Sequence, residues 1–436
     1  MESLMSNIYI VLYVTIWIVT IIVYQKKRQH FDAGSVILFS YLLYSIASLF
    51  LYNNNNPFYT FKHIQLFPFI YLYLMLMLAA SPIFKYNDNK IEEIQKPNMV
   101  LLNTICIIFI VASFVQLPSI ISDFSKSIVK LLINTSGGLE LYNEALSTDY
   151  KIGDGNISNF AAIISNAMSG IGILLFFYYL TLKKPNRFIL IGLFSSCMVS
   201  ILTSISLGQR GGIIATLFVM IITYFALRKF FQPKIKKIIK IVGISLLIAI
   251  AVPLIALTNS RFGKKVGSSQ SSVYYYVGQE NLFFNNYGLD DGGIRYGDRT
   301  FPLFKRMLGF DNVPHNFRER RQKYPKLKIN DEVFVSFVGD FTLDFGPIVA
   351  PLIFILFTLF ILHKTRIRNG RIKIHQLILI HFVMSVCMLG GMKLYPFSDV
   401  GGNLQLIVYF VAFICFRLDY DIRQRRKKNE SRIVCV

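Results

Sequence analysis

The chain has 436 residues, is 54% hydrophobic and 15% aromatic, holds 39 Phe and 24 Tyr, and carries a formal charge of +22. With a mean hydropathy of +0.50, this composition excludes an ordinary soluble domain. It is the composition that runs of roughly 17–25 apolar residues produce when they cross a ~30 Å hydrocarbon core.

Eleven such runs follow one another, near 7–24, 34–51, 64–84, 99–117, 158–182, 187–207, 211–227, 236–257, 347–363, 375–394 and 402–417. A spanning segment must satisfy its own backbone, and these runs lack the two-residue alternation of a barrel strand. The expected class is therefore an all-α polytopic membrane protein of about 11 transmembrane helices. The first run does not read as a cleavable signal. No basic residue precedes it, no small-residue cleavage site follows it, and Lys26-Lys27-Arg28 come directly after it.

The cations set an expected orientation. Basic clusters follow every odd-numbered run: Lys26 to Arg28, Lys85 to Lys96, Lys183 to Arg187, Arg228 to Lys240, Lys364 to Lys373, and Arg423 to Lys428 in the tail. The short even-numbered connections, such as 53–56 and 395–401, are nearly free of them. Retention of Lys and Arg on the cytoplasmic side then predicts an amino terminus outside and a carboxyl terminus in the cytoplasm. The net charge is mainly this topology signal, and nucleic acid is not an expected partner. Cys106, Cys197, Cys387 and Cys415 fall inside the runs and Cys435 in the tail, so no disulfide framework is expected in the outer loops.

Three connections stand out on the expected outer side, dividing the chain into 1–257, 258–346 and 347–436. The first is a smaller loop at 118–157. Ile120, Ile121, Phe124, Ile128, Leu131 and Leu132 recur there at helical spacing against Ser122, Asp123, Ser125, Lys126 and Lys130, which predicts an amphipathic helix on the membrane surface. The second is the hairpin from Ser204 to Gly212. It places Arg210 among Gly208, Gly211 and Gly212 where a helix begins, and unpaired N–H groups and a forked donor suit an anion. The bland alternative is an arginine snorkelling to headgroups beside turn glycines.

The third is the polar interval 258–331, with 13 of the 46 basic residues, seven acids and the run Tyr274-Tyr275-Tyr276. After it, Glu332 to Phe345 reads as a segment descending toward the membrane, with Asp344 a helix cap and Asp340 either a cap or a cavity carboxylate. Arg210, Arg261, Lys393 and Asp399 all fall at the outer boundary, and ionisable residues are scarce at the helix centres. This distribution favours an embedded enzyme over an ion-coupled pump.

Such an enzyme has no access to cytosolic nucleotides, so a transferred group would arrive already activated on a lipid phosphate. Fixed arginines can hold a diphosphate as it leaves without a metal. No metal ligand set is expected: the first outer loop, 53–63, holds no acid, and Asp290-Asp291 is a generic pair. Proton transfer is open between His315, the single histidine of the polar interval, and the carboxylates Asp290, Asp291 and Asp340. A solvated loop histidine is the plain reading of His315.

Four stretches carry a resemblance: Leu207 to Gly212, Asn259-Ser260-Arg261, Tyr296 to Pro302, and Asn330 with Asp344-Phe345-Gly346. In these, and in a long outer loop in its second half, the chain resembles the Wzy-type polymerases of O-antigen and capsule repeat units. The resemblance implies a GT-C-like bundle and glycosyl transfer between undecaprenyl-diphosphate-linked oligosaccharides, without a cofactor, at the outer face of a bacterial cytoplasmic membrane. It implies diphosphate binding by Arg210, Arg261 and Arg299, with Arg295 near Arg299 in the polar interval. Tyr274, Tyr275 and Tyr276 are the expected glycan contacts. A flippase and a chain-length regulator are the implied protein partners. A flippase or exporter of the same lipid-linked glycans, and a glycan ligase, are the competing expectations.

Overall fold

The computed structural model describes residues 2–54, 61–133, 137, 140–141, 156–262, 269–329, 333–367 and 369–433. Among them, ten helices are long and apolar enough to cross a membrane. The β structure among the described residues is one parallel pair of three-residue strands, β1 (Glu93–Gln95) and β2 (Arg371–Lys373). The predicted α-helical class holds, with ten long helices and one shorter apolar one in place of eleven equal spans.

The first half is built as the hydropathy dictates: α1 (Glu2–Arg28), α2 (Ala33–Tyr52), α3 (Leu66–Lys85), α4 (Met99–Ile133), α5 (Asn156–Thr181), α6 (Arg187–Ser206), α7 (Arg210–Leu227) and α8 (Pro233–Phe262). Caps set where two of them start. Asp32 and Ser35 form a reciprocal capping box on α2, and the Asn186 side chain accepts from two first-turn N–H groups of α6. On the periphery, α8 exposes Ile241, Leu247, Ile248, Val252 and Ile255, as a face turned to lipid does.

Two expectations change here. Residues 119–133 do not form a separate surface helix, because α4 continues through Pro118. Part of the predicted apolar face is used inside the protein, while Ile121 is exposed. Ile120 is buried, while Phe124 and Ile128 pack on a small second core with Ile201, Ile205, Ile213 and Ile250. The remainder of that loop, at 142–155, lies outside the described residues.

The polar interval 258–331 is likewise not one open loop. It contains α9 (Ser269–Tyr287), α10 (Pro302–Met307) and α11 (Phe317–Lys323). α9 is polar in sequence yet lies in the bundle against α2. Gly278 makes this possible: a Cβ there would come within 2.5 Å of the Ala47 and Ser48 backbone. At the crossing Ser48 Oγ donates to the Gly278 carbonyl at 2.8 Å, and Asn281 Nδ2 donates to Ser48 Oγ at 2.9 Å. Buried backbone and amide groups are thus paired, as they must be away from water.

α12 (Ser336–Lys364) absorbs the expected descending segment and the ninth run into one element, broken at Gly346, whose φ of +82° a side chain would strain. α13 (Ile374–Gly390) is 17 residues long and buried along almost its whole length, and α14 (Asp399–Ile433) closes the chain. One hydrophobic core draws on residues from all three expected segments. The divisions near 257 and 346 are therefore divisions of sequence and not of packing.

Candidate functional site

α7 begins at a turn with no side-chain cap: Gln209 occupies the N-cap position and makes no capping hydrogen bond. Its first-turn N–H groups and the positive end of its dipole are thereby left to other partners. Arg210 is the first helical residue. It is 9% exposed, and its guanidinium carbon lies 4.7 Å from the centre of the Tyr276 ring. A cation over an aromatic face is held both electrostatically and by orientation.

A second cation reaches the same turn. Lys393 Nζ donates to the Gly211 carbonyl at 2.7 Å. A Cβ at Gly211 would stand 2.9 Å from that nitrogen, so glycine is what admits the lysine. Burial, and then the charge of Arg210, push the Lys393 ammonium down to about 8.

A cavity of about 360 Å³ lies beside the turn, walled by α5, α6, α7, α13 and α14. Hydroxyl and amide groups line it, including Asn166, Ser200, Thr203, Thr216, Ser385 and Gln405, with Gln209 and Lys393 on its wall. No carboxylate is among its described lining residues. Tyr409 also lines it, and the Tyr409 hydroxyl is 2.9 Å from His381 Nδ1, whose Nε2 is 2.8 Å from Thr223 Oγ1. His381 is 1% exposed and sits midway along α13, so one ionisable side chain occupies a helix centre after all. Chemically, the cavity offers neutral donors and acceptors suited to sugar hydroxyls, with Lys393 on its wall and Arg210 on the adjoining turn as cations suited to a phosphate.

The segment carrying Lys393 is anchored by a knot of four buried charges. Arg295 Nε lies 2.6 Å from Asp344 Oδ1, Arg295 Nη2 lies 3.3 Å from Asp340 Oδ1, and Arg299 Nε lies 3.1 Å from the same oxygen. Asp340 Oδ2 accepts from the Tyr395 N–H at 2.7 Å. Asp344 Oδ2 accepts from the Thr300 N–H and hydroxyl, each at 2.8 Å. Asn403 continues the frame, accepting from the Leu303 N–H and donating to the Thr300 and Phe397 carbonyls. Loop 295–303, α12 and the turn 391–398 are therefore one unit.

Arg295 and Arg299 thus have carboxylate partners where the sequence suggested a diphosphate, and neither lines the cavity. Asp344, two residues before the break at Gly346, does not cap the helix that follows, since its oxygens bind Arg295 and Thr300. Asp340 is neither a cap nor a cavity carboxylate, because both oxygens are engaged in the knot. Asp291 is buried and accepts from the Ile329 N–H at 2.8 Å. Asp290 is exposed and paired with Lys328, whose ammonium holds its carboxyl below the usual range.

His315 has an exposed ring beside a structural cap. Its backbone N–H donates to Glu319 at 2.7 Å, and Asn316 caps α11. Tyr274 stacks on Phe50 with ring centres 5.5 Å apart, Tyr275 meets Tyr276 edge to face, and Tyr276 packs on Phe334 and Arg210. They form a half-buried internal surface, with no open platform of stacked rings. The Arg261 side chain lies outside the described residues.

Three residues that bear on the site, and one buried carboxyl apart from it, had little sequence signal. Lys393 reads as an interfacial cation, although it follows an apolar run at the end where connections otherwise lack charge. His381 and Tyr409 are single polar residues within apolar runs. Glu280 is fully buried on α9, and burial pushes its carboxyl well above the usual range. One group of potential metal ligands occurs among the described residues, at the other end of the bundle. The ligand atoms of His30, Asp32 and Asp88 lie within 4.8 Å of one another. They already serve one another and the fold: His30 pairs with Asp88 at 2.7 Å, and Asp32 caps α2 while facing Arg28. No family model, curated protein or solved structure matches the chain.

Proposed function

We propose that the protein is a membrane-embedded glycosyltransferase that polymerises undecaprenyl-diphosphate-linked oligosaccharide repeat units at the outer face of a bacterial cytoplasmic membrane. The observation that supports this reading best is the cavity itself. A chamber of about 360 Å³, rich in hydroxyl and amide groups and lacking described carboxylates, has Lys393 on its wall at the uncapped helix start that Arg210 opens. A sugar diphosphate presents the complementary chemistry: neutral hydroxyls on one part and two phosphate charges on the other.

In this reading Arg210, Lys393 and the first-turn N–H groups of α7 hold the diphosphate and stabilise its charge as the anomeric C–O bond breaks. The acceptor hydroxyl attacks the anomeric carbon and forms the new glycosidic bond. Its proton passes to the Tyr409–His381 pair, which reaches the cavity wall through Tyr409. Arg295 and Arg299 act through Asp340 and Asp344 as positioning residues that hold the turn carrying Lys393.

Purified protein incubated with a synthetic undecaprenyl-diphosphate repeat unit tests the reading. A ladder of repeat multiples on a gel or by mass is the expected result. Protein that moves the labelled lipid across liposomes and makes no ladder would instead be a flippase. Transfer of one unit to a different acceptor, with no multiples, would make it a ligase.

A further inference from the structure

The opposite end of the bundle holds a second polar cavity, of about 620 Å³, that the proposed reaction does not use. It is separated from the Arg210 turn by the length of α13, about 25 Å at 1.5 Å per residue. Lys364, Arg366, Arg371, Lys373 and Arg417 line it against one described carboxylate, Asp421. A neighbouring cavity of about 310 Å³ shares Arg371 and adds Lys96 and Arg423, with Glu93 at its edge.

Retention of cations on one side of a membrane explains why this end is basic. It does not explain why the cations converge on a concavity. That is the work of the fold. β1 pairs in parallel with β2, with Glu93 opposite Arg371 and Gln95 opposite Lys373, and so joins two connections far apart in sequence. Gln376 then pins the turn, donating to the Arg366 carbonyl at 3.0 Å and accepting from the Lys373 N–H at 3.0 Å. α14 extends beyond its apolar stretch to bring Arg417 and Tyr420 to the same wall, where Lys373 Nζ lies 3.7 Å from the centre of the Tyr420 ring.

The acids present do not quench this charge. Arg371 and Glu93 meet at 3.5 Å and Arg417 and Asp421 at 3.9 Å, with all four side chains largely in solvent, where such pairs contribute little.

An independent observation comes from His375, which lines the cavity. It is 7% exposed, and its Nδ1 has no hydrogen-bond partner among the described residues. Its ring is set between Phe413 and Tyr420, with centres 5.9 and 5.7 Å away. A buried ring nitrogen is unfavourable without a partner, and a ligand oxygen in the cavity would supply one.

We propose that this cavity is a binding site for a phosphate-bearing anion, held by Arg371, Lys373, Arg366 and Arg417 and by the His375 ring nitrogen. Its forked donors and compact ammonium groups match phosphate oxygens. An anionic lipid headgroup and a soluble phosphate present that same chemistry.

The full chain in neutral detergent is melted with increasing phosphatidylglycerol, phosphatidylcholine or inorganic pyrophosphate. The expected result is a saturable rise in melting temperature with phosphatidylglycerol, pyrophosphate or both, and none with phosphatidylcholine. A response to phosphatidylglycerol alone assigns the phosphate to a headgroup; a response to pyrophosphate that R371Q/K373Q weakens assigns it to a soluble ligand. The apparent affinity falls about tenfold or more in R371Q/K373Q, by loss of two charge-assisted contacts, and is unchanged in Lys328→Gln, an exposed lysine that lines neither this cavity nor the one beside α7. R366Q/R417Q, altering two exposed side chains, repeats the test if the first pair fails to fold. A wild type with no saturable shift, or folded variants that shift as the wild type does, overturns the proposal.

Discussion

The Arg210 guanidinium rests on the ring of Tyr276, 4.7 Å from its centre, and this contact joins a nine-residue hairpin to the polar helix α9. The two are 66 positions apart in the chain and had separate expected roles, an anion site and a glycan surface. Together they describe one arrangement in which an aromatic face orients the cation. Arg210→Lys is therefore expected to lower polymer formation by about a hundredfold, on the scale of losing one oriented donor to a developing charge. Lysine retains the charge but loses the planar fork. Full-length ladders from that variant, at normal protein level, would remove Arg210 from the mechanism.

Lys393 carries a pH dependence with a definite sign. With its ammonium pushed down to about 8, it is charged at neutral pH and loses its charge as pH rises through that value. Diphosphate binding should weaken over the same interval, and Lys393→Met should remove that limb of the profile. Stability runs the other way. The folded state releases this proton before the unfolded state does, so unfolding becomes harder from about pH 8 upward. Measured KM against pH, beside melting temperature, separates the two effects. A flat KM profile in the wild type would exclude Lys393 as a ligand.

The buried knot predicts a structural phenotype. Arg295→Ala leaves Asp344 without its cation and Asp340 with Arg299 alone, and is expected to destabilise the fold by about 3–5 kcal/mol. The readout is thermal unfolding in detergent. A variant that melts within a degree of the wild type would show that the pairing does not hold loop 295–303 to α12.

Glu280 offers a test without catalysis. Burial raises its carboxyl well above the usual range, so the folded state holds a proton that the unfolded state releases above about pH 4.3. The carboxyl therefore weakens the fold as pH rises from there toward its folded value. Glu280→Gln should melt at or above the wild type at neutral pH and show a shallower pH dependence. An unchanged slope would mean that Glu280 is ionised in place.

Two histidines compete for the proton of the acceptor. His381 is bonded to Tyr409 on the cavity wall, whereas His315 is exposed at a capped turn. His381→Gln is expected to lower turnover by about a hundredfold, the lower end of general-base effects, and His315→Ala by no more than about threefold. The reverse pattern in single-turnover rates would place the base in the loop.

Much of the fold was legible along the chain because hydropathy is a local property. The runs from 7–24 through 236–257 appear as helices within a few residues, with 99–117 and 236–257 extended, and Arg210 was legible as a helix start. The partners of charged residues were not legible. Arg295 meets Asp340 and Asp344 across 45 and 49 positions, and nothing in the spacing distinguishes an arginine waiting for a diphosphate from one already held by carboxylates. The buried helix α9 was hidden for a related reason. Its sequence is polar, and it enters the bundle because Gly278 lets two backbones touch and Ser48 and Asn281 satisfy the polar groups there.

By itself, then, the sequence determined the class: apolar runs long enough to cross a membrane, an uneven distribution of cations between the two ends, and a glycine-flanked arginine opening a helix. The tertiary structure decided which charges are neutralised, which polar residues line a cavity, and that Lys393 and Arg210 share one turn. Burying an apolar run requires only its own composition. Whether a charge is free or engaged depends on groups brought beside it by packing, and the low dielectric of the interior makes that placement decisive.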